Sequence, residues 1–191
     1  MTDGTDITLY LGGTRSGKSV AAERHAAMDR TRRIVYVATA VARPDDASMT
    51  DRIAKHRARR PESWSVLEIP TALGSALDAY LTAQREGVPA TVLVDCVTMW
   101  VTNLMFGLDD PLDADRVNAL VEAEVDGLCS VMARHADTRW ILVSGETGLG
   151  GIAGDACTRV FTDALGLANQ RLAAAAGEVF LVVAGRRLRL V

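Results

Sequence analysis

Gly12-x-x-x-x-Gly17-Lys18-Ser19 supplies three things that a phosphate-binding loop needs. Its glycines let backbone N–H groups converge on phosphate oxygens, the Lys18 ammonium reaches the β and γ positions of a nucleoside triphosphate, and the Ser19 hydroxyl is a ligand for Mg²⁺. Gly13, Thr14, Arg15 and Ser16 fill the loop between. The setting makes the match specific: an apolar run precedes the loop and a helical pattern follows it, the strand, loop and helix order that the motif requires. A glycine-rich turn without a ligand is the competing reading, and it leaves that order unexplained.

A triphosphate site normally has a second carboxylate that orients the metal, and the run TVLVD ends with Asp95 at the C-terminal edge of a buried strand. An aspartate in that position also suits the cap of a following helix. Asp51 to Pro61, DRIAKHRARRP, is more unusual. If it is helical, Met49, Ile53 and His56 share one face, Arg52 and Arg60 flank His56 one turn either way, and Pro61 ends the helix. A histidine between apolar and cationic surfaces fits a satisfied core residue or a solvated basic face. It also fits a nucleophile. An imidazole is mostly neutral near pH 7, so its free nitrogen can attack phosphorus while arginines offset the phosphate charge.

The elements that must hold these residues alternate along the chain. Ile7–Gly12, Ile34–Ala38, Ser65–Ile69, Thr91–Asp95 and Trp140–Ser144 read as strands separated by helical patterns, so the fold class is α/β with a mostly parallel sheet covered by helices. Val179–Val183 and Arg187–Val191 are joined by three residues, too few for a parallel crossover, and should close the chain as an antiparallel hairpin. Leu73, Leu77, Tyr80 and Leu81 form a helical stripe that Gly87 can end; Val117, Leu120, Val121, Leu128, Val131 and Met132 form a longer one. With 191 residues and no repeat or linker, a single nucleotide-binding domain over 1–191 is expected.

Composition excludes several classes of function. A net charge of −3 and scattered arginine clusters argue against nucleic acid as a partner. Cys96, Cys129 and Cys157 are widely spaced with no CxxC pair, which argues against a disulfide framework or structural zinc site and for a reducing compartment. The first residues, MTDGTDITLYLGG, are acidic where a signal peptide is basic, and the apolar run is short for membrane insertion. A cytoplasmic protein is expected.

Beyond these local signals, the chain resembles the bifunctional adenosylcobinamide kinase / adenosylcobinamide-phosphate guanylyltransferase family of cobalamin biosynthesis over nearly its whole length. The resemblance rests on GGTRSGKS, YVAT at Tyr36–Thr39, RIAKHRARRP at Arg52–Pro61 with Trp64 and Glu68, and VDCVTMWVTNLMF at Val94–Phe106. It continues through VSGETGLG at Val143–Gly150 to the stretch beginning NQRLA at Asn169. RI-x-x-H before R-P, together with VTNL and NQ-x-LA, is its distinctive part. Gly145, Thr147 and Gly154 stand where the family commonly has Asn, Val and Pro, so the loop after the fifth strand is rich in glycine here.

The resemblance implies a RecA-like phosphate-loop fold and two reactions. The aminopropanol hydroxyl of adenosylcobinamide is phosphorylated, and GMP then passes from GTP to adenosylcobinamide phosphate through a histidine adduct at the position of His56. Family nucleotide contacts fall on Gly12–Ser19, on Ala38, Thr39 and Ala40, on Arg57, Ala58, Arg59 and Arg60, and on Glu68 and Asp95. Lys18 serves the phosphoryl transfer, Ser19 and Asp95 serve Mg²⁺, GTP and ATP are the nucleotides, and the assembly is a homotrimer. Glu68 can accept from the N1–H and amino group of guanine, or it is a solvated strand end. Two rivals remain at this stage: a phosphate-loop kinase for another small hydroxyl substrate, and a nucleotide-dependent switch without chemistry. The lack of a guanine-reading NKxD-type motif counts against the switch.

Overall fold

In the computed structural model the apolar runs form one seven-stranded sheet. Its strands are β1 (Ile7–Gly12), β2 (Arg33–Ala38), β3 (Ser65–Glu68), β4 (Ala90–Asp95), β5 (Arg139–Gly145), β6 (Glu178–Val183) and β7 (Arg186–Arg189). Residues 6–41, 47–58, 60–84 and 90–191 are described, with the side chains of 47–49, 52, 55 and 56 outside that set. The strands lie in the order β3-β2-β4-β5-β1-β6-β7. All neighbours are parallel except β7, which folds back antiparallel on β6. The expected α/β class and closing hairpin are therefore both present, with strand ends displaced by one or two residues.

Among the described residues the α-helices between the strands are α1 (Lys18–Ala26), α2 (Ala47–Ala58), α3 (Leu73–Ala83), α4 (Val97–Phe106), α5 (Ala114–Arg134) and α6 (Ala156–Ala175). The two stripes read from the sequence bury Leu73, Leu77 and Leu81 on α3, and Val117, Val121, Leu128, Val131 and Met132 on α5. Helix α3 passes to Gln84 at its cap, and Gly87, expected to end it, lies outside the described residues.

Period-two alternation sends neighbouring strand residues to opposite sides of the sheet. Leu9, Val35, Val92, Val94 and Leu142 belong to the larger core, shared with residues of α3, α4, α5 and α6. Tyr10, Tyr36, Leu93, Ile141 and Val143 face the smaller one, where α1 offers Ala22 and Ala26. Trp100 and Trp140 are fully buried in the larger core, and truncating either to alanine should cost about 3–5 kcal/mol.

Because the central strands are parallel, their C-terminal ends share one edge, where ligands of open α/β sheets bind. Register brings the edge residues together: Gly12 pairs with Gly145, and Ala38 pairs with both Asp95 and Glu68.

Candidate active site

A pocket opens along that edge. At its β1 end Gly12, Thr14 and Lys18 line it, and the loop they belong to is tightly constrained. A Cβ on Gly12 would lie 2.5 Å from Val182 O, so no other residue fits. Gly17 precedes α1 with φ 97°, a left-handed conformation that glycine adopts without strain. The β6–β7 turn braces the loop from behind, as the Gly185 N–H donates to Ser16 O at 2.8 Å. Lys18 Nζ donates to Gly13 O at 3.1 Å, and the Arg15 side chain is exposed.

Asp95 marks the middle of the pocket. Its Oδ1 accepts from Ser19 Oγ at 3.3 Å and its Oδ2 from Tyr36 OH at 2.8 Å. The cap position of α4 is the next residue, Cys96, so Asp95 is directed to the loop rather than placed as that helix's cap. Burial, and then the Asp95 charge and hydrogen bond, push the Tyr36 pKa far up. The phenol therefore remains a donor to Asp95. Burial likewise pushes the Cys96 thiol up to about 11, which leaves it protonated and a poor nucleophile although it lines the pocket.

Tyr36 also carries the link to the other end. Arg60 stacks over its ring at 4.0 Å, and Trp64 stacks beside it with centroids 6.5 Å apart. Here the sequence expectation needs correction. Helix α2 ends at Ala58, before Pro61 disfavours the α conformation of its predecessor, so Arg60 lies beyond the helix instead of one helical turn after His56. Its guanidinium is placed by an aromatic face.

Ile53, Arg57 and Arg60 line the pocket at this end, with Glu68 from the end of β3. Ala58 is exposed on α2. His56 is helical in backbone and sits between Ile53 and Arg57 in the chain; its side chain, that of Arg52 and all of Arg59 lie outside the described residues. Ala38 and Ala40 line the pocket, but Thr39 is fully buried. The Thr39 hydroxyl accepts from the Cys96 N–H at 2.9 Å and donates to Cys96 O at 2.7 Å, tying β2 to the start of α4.

Tyr36 and Glu146 line the pocket without having been singled out as site residues in the sequence. Tyr36 was visible only as the first letter of YVAT, although a tyrosine in a buried strand needs a partner for its hydroxyl. Glu146 follows β5 in the glycine-rich loop, and its N–H donates to Gly12 O at 3.1 Å. Gly145 before it is held from both sides, its N–H donating to Thr98 Oγ1 at 2.6 Å and its carbonyl accepting from Asn169 Nδ2 at 3.0 Å. A Cβ on Gly145 would come 2.9 Å from Thr98 Oγ1, so the glycine suits this packing.

The family model for cobinamide kinase / cobinamide phosphate guanyltransferase matches residues 8–190, the span that contains every element of this pocket. The chain belongs to this family. The bifunctional adenosylcobalamin biosynthesis protein CobP of Pseudomonas aeruginosa is 43% identical over 93% of this chain and 92% of its own length. CobU of Escherichia coli, likewise named as bifunctional in adenosylcobalamin biosynthesis, is 36% identical over 94% of this chain and 96% of its own. Two distant solved structures share the fold. A Pyrococcus horikoshii OT3 protein aligns with TM-score 0.57 at 8% identity, covering 97% of this chain and 86% of that one. A prototypical type III secretion system ATPase aligns with TM-score 0.56 at 11% identity, covering 94% and 53%.

A cobinamide kinase / cobinamide phosphate guanyltransferase must serve two different phosphorus centres, and the pocket has two kinds of wall. Gly12, Thr14 and Lys18 form one end; Arg57, Arg60 and Glu68 form the other. The three histidines of this chain are also distinguishable by placement. His25 Nδ1 is paired with Tyr10 OH at 3.1 Å, and burial, then the charge of Arg139, hold its pKa below the usual value. His135 Nε2 is paired with Asp78 at 2.9 Å. His56 belongs to the helix that lines the pocket.

Proposed function

We propose that this protein phosphorylates the aminopropanol hydroxyl of adenosylcobinamide and then transfers GMP from GTP to the resulting phosphate by way of His56, giving adenosylcobinamide-GDP. The observation that carries this reading is the shared pocket: the phosphate loop, Arg57 of α2 and Arg60 just beyond it open into one space.

In the first half-reaction the loop amides and Lys18 hold the nucleotide phosphates and offset charge as the γ-phosphoryl group moves, so positioning supplies most of the acceleration. The Ser19 hydroxyl and Asp95 carboxylate form an all-oxygen donor pair suited to Mg²⁺, which takes one or two carboxylates plus substrate phosphates. Bound there, Mg²⁺ would neutralise phosphate charge. Either ATP or GTP meets the requirements of the backbone cradle, which touches phosphates alone.

In the second half-reaction an imidazole nitrogen of His56 attacks the α-phosphorus of GTP. An N–P bond forms, the bond to the bridging oxygen breaks, and pyrophosphate leaves. An oxygen of adenosylcobinamide phosphate then attacks the same phosphorus, and the P–N bond breaks to return the histidine. Arg57 and Arg60 offset phosphate charge, and Glu68 accepts from the N1–H and amino group of guanine.

The protein acts as one nucleotide-binding domain, in the cytoplasm, without nucleic acid, and as a homotrimer with sites between subunits. Leu149 and Ile152, 81% and 93% exposed in the segment after β5, are apolar surface that such an assembly can cover. Among the described residues no helix is long and apolar enough to cross a membrane.

Incubation of the purified protein with adenosylcobinamide, Mg²⁺ and GTP tests the reading by mass spectrometry of the corrinoid. Successive appearance of adenosylcobinamide phosphate and adenosylcobinamide-GDP is expected; an unmodified corrinoid contradicts it.

A further inference from the structure

Among the described residues three carboxylates line the pocket: Glu68, Asp95 and Glu146. The strand order ranks them by distance from the phosphate loop, since neighbouring strands lie about 4.8 Å apart. Glu146 follows β5, which pairs directly with β1, and its own N–H is bonded to Gly12 O at 3.1 Å. Asp95 ends β4, one strand further out. Glu68 ends β3, four strand steps from β1, on the order of 19 Å across the sheet. A group that takes a proton from a hydroxyl attacking the γ-phosphorus must stand at the β1 end.

Asp95 is committed elsewhere, with Oδ1 engaged by Ser19 and Oδ2 by Tyr36. Glu146 differs. Its Oε1 accepts from the N–H of Gly148 at 2.7 Å and of Leu149 at 3.3 Å, and among the described residues its hydrogen bonds all fall on that oxygen. The carboxylate is thus anchored through one oxygen, with Oε2 left to meet an acceptor. The clamp of Thr98 and Asn169 on Gly145 fixes the backbone from which it projects.

We propose that Glu146 is the general base of the kinase half-reaction. Resting on the kinase reading above, the step is as follows: the acceptor O–H proton passes to Glu146 Oε2, the freed oxygen pair forms the bond to the γ-phosphorus, and the bond to the β,γ-bridging oxygen breaks. The nucleoside diphosphate leaves with that electron pair. The second half-reaction makes no such demand, because a phosphate monoester has its second pKa near 6 and arrives already ionised.

The two activities of one preparation therefore test the inference. Glu146→Gln keeps an Oε1 that can accept from Gly148 and Leu149, so the loop is preserved while the base is lost. It should lower kcat for adenosylcobinamide phosphorylation roughly 10²-fold or more, with the KM for nucleotide changed less than about threefold. The ratio of kinase to guanylyl transfer onto preformed adenosylcobinamide phosphate should fall by a similar factor. Glu146→Asp, which restores a carboxylate on a shorter arm, should recover part of the kinase rate. Phosphorylation by Glu146→Gln within about threefold of the wild type, or equal loss of both activities, overturns the proposal. A wild-type protein that phosphorylates no cobinamide refutes the functional reading itself, and this inference with it.

Discussion

The two ends of the pocket are built from different material. At the β1 end the pocket is lined by Gly12, Thr14 and Lys18 on a loop between the fully buried strand β1 and helix α1, and neighbouring atoms leave Gly12 no room for a side chain. At the β3 end the working groups are side chains on an edge strand, of which only Leu67 is even half-buried, and on or just beyond helix α2. On the proposed reading, phosphate binding follows from the fold, whereas the choice of base and the guanylyl chemistry rest on individual side-chain atoms. Between them stands Tyr36, which donates to Asp95 on one side and supports Arg60 on the other.

Single substitutions at each end sharpen the contrast. Lys18→Ala removes the ammonium that lines the phosphate end and should reduce kinase turnover by about 10²–10³-fold, the usual effect of deleting one preorganised transition-state donor. The urea midpoint should barely move, because Lys18 is a partly exposed loop-edge residue outside both cores. Near wild-type phosphorylation by this variant would remove the phosphate-loop assignment.

Tyr36→Phe tests the connection. The ring under Arg60 is kept, while the hydrogen bond to Asp95 is lost. The Mg²⁺ concentration for half-maximal kinase rate should rise roughly tenfold, equivalent to one hydrogen bond to a charged group. A superimposable magnesium titration would mean that Asp95 does not orient the metal.

The smallest effect is expected at the exposed strand end. Glu68→Gln replaces one of two acceptor oxygens with an amide donor and should narrow the preference for GTP over ATP in guanylyl-type transfer by about fivefold, leaving corrinoid phosphorylation unchanged. Competition between the two nucleotides during adduct formation measures it, and an unaltered preference returns Glu68 to a solvated strand end.

These differences also explain what was legible in the sequence. The phosphate loop is contiguous, and its geometry requires glycine at fixed spacing, so eight residues announce it. The strands were legible because β1, β4 and β5 are almost continuously apolar. Helix α4 was not read from the sequence although its buried Val97, Trp100, Val101, Leu104 and Met105 recur at helical spacing, with Thr98, Thr102 and Asn103 between them. The Tyr36–Asp95 contact spans 59 positions and the Thr98–Gly145 contact 47, distances over which no periodicity operates. Arg60 was misplaced because helical spacing was extended through a residue that Pro61 keeps out of the helix. For His56, periodicity left core, surface and nucleophile roles open; the placement of the other two histidines narrows the choice by giving each a partner away from the pocket.

The most direct measurement is intact-mass analysis of the protein after incubation with Mg²⁺ and GTP, followed by peptide mapping. A guanylylated histidine should add the mass of one GMP at His56, through a P–N bond that is lost in acid and survives alkali. His56→Ala should show neither the adduct nor guanylyl transfer while still phosphorylating adenosylcobinamide, because phosphoryl transfer uses the other end of the pocket. Guanylyl transfer that persists in His56→Ala, or an adduct mapped to another residue, would contradict the covalent mechanism and with it the division of the pocket into a backbone end and a side-chain end.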